Sequence, residues 1–283
     1  MDKFILSINN TIAQVILKNS NDLYTTQKIK SILPQKIDLH YAKVAGEEVF
    51  GVLPIIIPPE KGIDVNTLEK DTVVYWPERQ FFCIFYGDIQ EEDTNVTVIG
   101  KLAANEDFIN EMEKVRYKQG ISMIIKNEDD KEPEKIKSYS HLVNANFDWH
   151  SFPDELKNLV KRKGIMQPGG PIIYAEGETR KLADILWTFY LFYQKKKHIP
   201  VDILQDILLQ SINRIGGWCG LKGSAEVIDQ YRHILQGKNI NTLTILEDLI
   251  LYTNRLNMWI DLLIPWEICN VNLRKYNSEN NRI

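Results

Sequence analysis

The spacing of apolar residues changes once along the chain, and that change limits the fold more than any other feature. Up to about residue 126, apolar side chains alternate or cluster in short runs. Ile37 to Val44 alternates apolar with polar, as a half-buried strand does. Thr72 to Trp76 and Phe81 to Tyr86 are dense apolar runs separated by Pro77-Glu78-Arg79-Gln80. Runs this short with a proline between them form neighbouring strands, not a helix. From Pro153 onward the apolar residues recur three and four apart, the period of a helix.

The first part reads as Phe4 to Ile8 and Ile12 to Leu17 joined at Asn9-Asn10, a hairpin in which Asn tolerates positive φ. A short helix follows from Leu23 to Leu33, started by Asn21-Asp22 and ended by Pro34. Further strands are expected at Glu48 to Ile57, Asn95 to Leu102 and Ile121 to Ile125, with a short helix at Glu106 to Val115. Asn127 to Lys137 is nearly all charge and proline and reads as a solvated linker. Ser138 to Pro153 carries Phe147, Trp149 and Phe152 and reads as a docking segment. Helices are then expected over Pro153–Lys163 with Ser151 as a cap, Thr179–Lys197, Val201–Ile215, Ser224–Gln236, and from Leu243 past Trp259 to a stop near Pro265. The residues after Asn270 are polar and expected to fray. The division is 1–126, a linker and docking segment at 127–150, and a helical domain at 151–283.

Composition removes several functions. Net charge is −4 and the pI is near 5.8, so no basic surface calls for nucleic acid. No stretch of about 18 residues lacks charge, which argues against a membrane span, and no signal-peptide core follows Met1. Three dispersed cysteines and five dispersed histidines form no CxxC, HxH or HxxxH pair, so neither a disulfide framework nor a metal site is expected. No cofactor motif is visible. The expected location is the cytoplasm.

Asp71-Thr72-Val73-Val74-Tyr75-Trp76-Pro77-Glu78-Arg79-Gln80-Phe81-Phe82-Cys83-Ile84-Phe85-Tyr86-Gly87 resembles the signature of small bacterial and archaeal cyclophilin-like proteins. A strand there ends in Tyr-Trp-Pro, turns, and returns as an apolar strand closing on an aromatic and a glycine. Asn95 to Gly100 and Gly46-Glu47-Glu48-Val49-Phe50 resemble two further blocks of that family, in the same order. The resemblance covers residues 2 to 126 and implies a closed β-barrel. The fold expected is therefore an α+β multidomain chain, a cyclophilin-like β-barrel followed by an all-α domain. Cyclophilins that isomerise prolyl bonds place one arginine beside an apolar proline pocket. Gln80-Phe81-Phe82 is similar to their Gln-Phe-Phe run, yet Glu48 to Ile57, where that arginine belongs, holds none, and Arg79 lies on the turn instead. Since positioned charge carries most of such catalysis, the resemblance carries the scaffold further than the reaction.

Tyr75, Trp76, Arg79, Gln80 and Phe82, with Glu48 adding a charge, are the candidate ligand-binding residues, lining an aromatic groove for a peptide or small molecule. The plainer alternative puts Tyr75, Phe81 or Phe82 in the core, and alternation lets only one of Phe81 and Phe82 face inward. For Glu48 the solvated turn carboxylate is the preferred reading. Gly216 to Gly223 fails the phosphate-loop pattern and reads as a tight helix connection with Trp218 in the core and Ser224 capping the next helix. Cys219 has no base nearby in sequence. Lys195-Lys196-Lys197-His198 suits a helix C-terminus. Leu243 to Leu263 is apolar on nearly every face, so it lies centrally buried or is shared with a second copy in a homo-oligomer. Two functions follow. One is a binding module whose helical domain assembles or closes the site. The other is an enzyme with its site between barrel and helices, prolyl isomerisation being the reaction named. A basic side chain from the helical domain over the aromatic groove would favour the enzyme.

Overall fold

The structure is a computed structural model of the full chain, and it describes residues 2–18, 23–43, 46–89, 94–130, 151–161, 169–237 and 241–279. The charged linker, Phe147, Trp149 and the Asn21-Asp22 helix start lie outside these residues.

Ten antiparallel strands make up the N-terminal part. They are β1 (Lys3–Ile8), β2 (Thr11–Leu17), β3 (Gln35–Asp38), β4 (His40–Tyr41), β5 (Gly46–Val52), β6 (Ile63–Asp64), β7 (Thr72–Trp76), β8 (Phe81–Ile89), β9 (Asn95–Ala103) and β10 (Ser122–Asn127). The sheet runs β3-β10-β1-β2-β9-β7-β8-β5-β4, with β6 beside β9. Asn9 takes φ 51° in the β1–β2 turn, as its sequence implies. The barrel nearly closes where β5 crosses β3. A Cβ at Gly51 would stand 2.7 Å from Ile37 Cδ1 and 2.8 Å from the Asp38 carbonyl, so only glycine permits that approach. Helices α1 (Tyr24–Ile32) and α2 (Glu106–Glu113) cover the barrel ends, α2 capped by Asn105, which accepts from the Phe108 amide at 3.0 Å.

Strand β8 is buried on both faces, and this explains its unbroken apolar run. Phe82, Ile84 and Tyr86 point into the barrel beside Phe4, Leu6, Val73 and Tyr75. Phe81, Cys83 and Phe85 point outward, with Phe50, Val52 and Val74, onto Met258 of the helical part.

That part comprises α3 (Asp154–Lys161), α4 (Gly169–Lys196), α5 (Val201–Ile212), α6 (Lys222–Ile234), α7 (Thr242–Asp261) and α8 (Trp266–Glu279). Helix α4 begins about ten residues before the expected Thr179, and its first turns already bury Ile172 and Ala175. Helix α5 runs on into a π-helical turn, Asn213–Trp218. Trp218 is 77% exposed, which corrects its expected place in the core; the widened turn carries it outward. Ser224 is not an N-cap but lies within the first turn of α6. Glu155 of α3 supplies the cap instead, accepting from the Gly223 and Ser224 amides at 2.8 and 2.7 Å and from the Ser224 hydroxyl. Residues 271 to 279 are helical, not frayed.

Helix α7 is the central element. It packs on α4 and on the barrel, with Leu249, Leu256, Trp259 and Ile260 buried. Several of its polar residues are also buried, and they face partners. Asn257 donates to the Glu176 carbonyl at 2.8 Å and Thr179 Oγ1 at 2.9 Å, Asn254 donates to Gln80, and Arg255 pairs with Asp38 at 2.7 Å. Among the described residues no helix is long and apolar enough to cross a membrane.

Candidate functional site

Strand alternation decides which side chains leave the barrel. On β7, Val73 and Tyr75 point inward, so Val74 and Trp76 point outward. On β5, Val49 points inward, and Glu48 and Phe50 point outward. Trp76, Phe81 and Phe50 thus form an aromatic wall on the outer barrel surface. Phe50 and Phe81 stack with centroids 4.4 Å apart, and Trp76 meets Phe81 edge-on at 6.1 Å.

Helix α4 faces this wall with charge. Glu176, Arg180 and Asp184 recur four apart and so share one helix face. Arg180 pairs with Glu176 at 2.6 Å, and Asp184 accepts from Arg79, whose guanidinium lies 5.9 Å over Trp76. Between wall and helix lies a cavity of about 380 Å³, lined by Ala42, Lys43, Glu48, Phe50, Trp76, Arg79, Phe81, Glu176, Arg180 and Trp266. The volume suits a small molecule.

Of the sequence-derived candidates, Trp76, Arg79 and Glu48 reach this cavity. Tyr75 and Phe82 fill the barrel core, with the Tyr75 hydroxyl donating to the Ile55 carbonyl at 2.7 Å. Gln80 is buried in the turn, where it donates to the Pro77 carbonyl at 2.7 Å. Glu48 is only 3% exposed, so it is a wall of the cavity and not a solvated turn. Residues from outside the barrel complete the site. The Glu176-Arg180-Asp184 repeat, charge alternating in sign at four-residue spacing on one face of α4, is the signal that could have revealed them. Phe50 and Phe81 could have been found by alternation.

A polar junction closes one end. Asp261, at the end of α7, accepts from Lys43 and from Trp266 Nε1 (3.0 Å), and its other oxygen lies 3.3 Å from His40 Nδ1. Lys43 also lies 4.6 Å over the Trp266 ring. Burial, then the cations Lys43 and Arg255, push His40 down to about 3, so its imidazole is neutral. Burial, then Arg180, lowers the Lys43 ammonium to about 7, and Glu176 opposes that shift.

Residues 6–122 match the cyclophilin-like family. The match runs from within β1 to the first residue of β10, takes in α1 and α2, and ends before α3. No curated protein matches the chain. Among solved structures, McbB in complex with tryptophan superposes with a TM-score of 0.72 at 14% identity, covering 95% of this chain and 99% of McbB. That likeness spans the barrel and the helices together and concerns the fold. The solution structure of hypothetical protein AF2241 from Archaeoglobus fulgidus aligns at 20% identity and a TM-score of 0.35, covering 44% of this chain and 93% of that protein.

Proposed function

We propose that this protein binds a small aromatic molecule bearing both a carboxylate and an amine, of amino-acid type, in the cavity between barrel and helices. The observation that carries the reading is the facing of Trp76, Phe50 and Phe81 by Arg180, with the buried Glu48 on the same wall. The aromatic wall supplies the contact area for a ring. Arg180 suits a carboxylate, and Glu48 suits an ammonium, a charge that needs a partner when water is excluded. The helical part then closes the site, since Glu176, Arg180 and Trp266 all come from it. The cavity is bounded by both parts, which favours a small molecule over a peptide laid along an open groove. McbB, a structural neighbour, is described in complex with tryptophan, and tryptophan is the natural first probe.

The test is calorimetry with L-tryptophan, L-tyrosine and L-phenylalanine on the full chain and on Trp76→Ala and Arg180→Ala variants. Binding by the wild type, weakened about tenfold or more in each folded variant, supports the reading. No heat with any of the three at about 10 mM, well above ordinary small-molecule constants, removes it.

Catalysis at the same cavity is the second reading. Arg180 is the basic side chain from the helical part facing Trp76, the feature that favours an enzyme. A prolyl-isomerase assay on a proline peptide decides the reaction named for it: turnover abolished by Arg180→Ala supports isomerisation, and an unaccelerated peptide removes it.

A further inference from the structure

The turn that joins β7 to β8 carries two of the residues lining the cavity, Trp76 at its start and Arg79 within it. Pro77 to Gln80 reverse the chain there, and the Arg79 amide donates to the Trp76 carbonyl at 3.2 Å. The last residue of the turn lies outside the ordinary backbone range. Gln80 takes φ 54°, a left-handed conformation that a side chain with a Cβ disfavours. Such a conformation persists only where its surroundings impose it.

The Gln80 side chain supplies much of that constraint. It is fully buried. Its Nε2 donates to the Pro77 carbonyl at 2.7 Å and lies 3.3 Å from the Glu78 carbonyl. The Gln80 carbonyl accepts from the Leu53 amide, just past β5, at 2.9 Å. Backbone carbonyls only accept, so Nε2 must face the turn and Oε1 must face α7. A buried amide oxygen turned that way needs a donor. Asn254, itself buried on α7, provides it through Nδ2. Helix α4 holds the same turn at Arg79, through Asp184. The two helices that pack on one another thus both fasten the turn.

We propose that Asn254 is a positioning residue for the cavity: acting through Gln80, it holds the Pro77–Gln80 turn and so sets Trp76 and Arg79 on the cavity wall. The inference rests on the reading of that cavity as a ligand site. Neither Asn254 nor Gln80 lines the cavity, so their influence on a ligand passes through the turn. The helical part then does more than cover the site. It supplies the donor without which the barrel's own wall is not held in shape.

Hydrogen exchange by mass spectrometry on the full chain tests the turn without a ligand. In Asn254→Ala, peptides spanning Pro77 to Gln80 are expected to exchange about tenfold faster than in the wild type, while the β1–β2 hairpin keeps its rates. Tyr231→Phe removes another buried hydrogen bond of the helical part, to Asp248, and is expected to leave the turn unchanged. Asn254→Ser, which keeps a shorter donor, is the second variant should the alanine not fold, and its turn is also expected to exchange faster than the wild type. Calorimetry with L-tryptophan tests the wall. Asn254→Ala is expected to weaken binding about fivefold or more, and to add little once Gln80 is already replaced by Ala. Turn peptides that keep wild-type rates in the folded Asn254 variants overturn the proposal, as does an equal rise in Tyr231→Phe. Wild-type affinity in a folded Asn254→Ala, or a loss that simply adds to that of Gln80→Ala, also overturns it. Failure of the wild type to bind tryptophan removes that ligand, and the exchange rates then decide whether Asn254 holds the turn.

Discussion

Arg255, near the middle of the central helix α7, pairs with Asp38 at the end of β3 across the boundary between helices and barrel. The distance is 2.7 Å, and Arg255 is only 3% exposed. The guanidinium also lies 4.6 Å over Trp259. The pair therefore joins the last described residue of a barrel strand to the element around which the helices pack.

Removing the acid from that pair leaves a buried cation with less compensation. Asp38→Ala is expected to lower stability by about 2 kcal/mol or more, because breaking a buried pair costs more than the pair contributes. Urea unfolding of the variant measures it. A loss below about 0.5 kcal/mol would show that the other contacts of Arg255 suffice.

His40 gives stability a pH dependence of known sign. Its folded value of about 3 lies below the ordinary 6.5, so between those values the unfolded chain binds a proton that the folded chain refuses. Stability contributed by the neutral imidazole is thus complete above pH 6.5 and falls as pH drops toward 3. Lys43, Arg255 and Arg180 reinforce the shift, and Asp38 opposes it. Between pH 6.5 and 5 the wild type should lose about 1.5 kcal/mol more than His40→Phe, which cannot titrate. Equal pH slopes in the two proteins would contradict this assignment.

Glu48 is expected to distinguish an amine-bearing ligand from its deaminated analogue. If it holds an ammonium, Glu48→Gln should weaken L-tryptophan about tenfold and leave indole-3-propionate unaffected. Parallel weakening of both ligands would mean that Glu48 shapes the cavity without reading the charge.

Two tryptophans should behave oppositely. Trp259, 1% exposed within the helical core, should cost about 3–5 kcal/mol when replaced by Ala. Trp218, 77% exposed on the π-helical turn, should change stability by less than about 0.5 kcal/mol. Thermal or urea unfolding of both variants checks the pair together.

The barrel was readable because its signals are local. Asn9 sets a hairpin, and the Pro77 to Gln80 turn separates two strands whose composition excludes a helix. The long central helix was readable from its apolar faces, and its burial beside both α4 and the barrel accounts for them. Trp218 was misplaced because tryptophan's usual burial is a statistical preference, whereas its direction here depends on one extra residue in a helical turn. The candidate site was half legible. Trp76, Arg79 and Glu48 belong to local strand and turn patterns. Arg180 and Glu176 lie about a hundred residues beyond Trp76 in sequence, and only tertiary packing brings them opposite the aromatic wall. Tyr75 and Phe82 were candidates because aromatic residues suit grooves and cores alike; the phase of the pleat separates the two uses.

The outward row of Phe50, Val74, Phe81, Cys83 and Phe85 bears on how the chain can be divided. Cut away after residue 130, the cyclophilin-like part would present to water the strip that α7 normally covers. Such a fragment is expected to self-associate, and size-exclusion chromatography of residues 1–130 checks it: a monomer that stays in solution would show that the strip tolerates water. The family match stops at residue 122, whereas apolar packing reaches past it, from Phe81, Cys83 and Phe85 of β8 onto Met258 of α7.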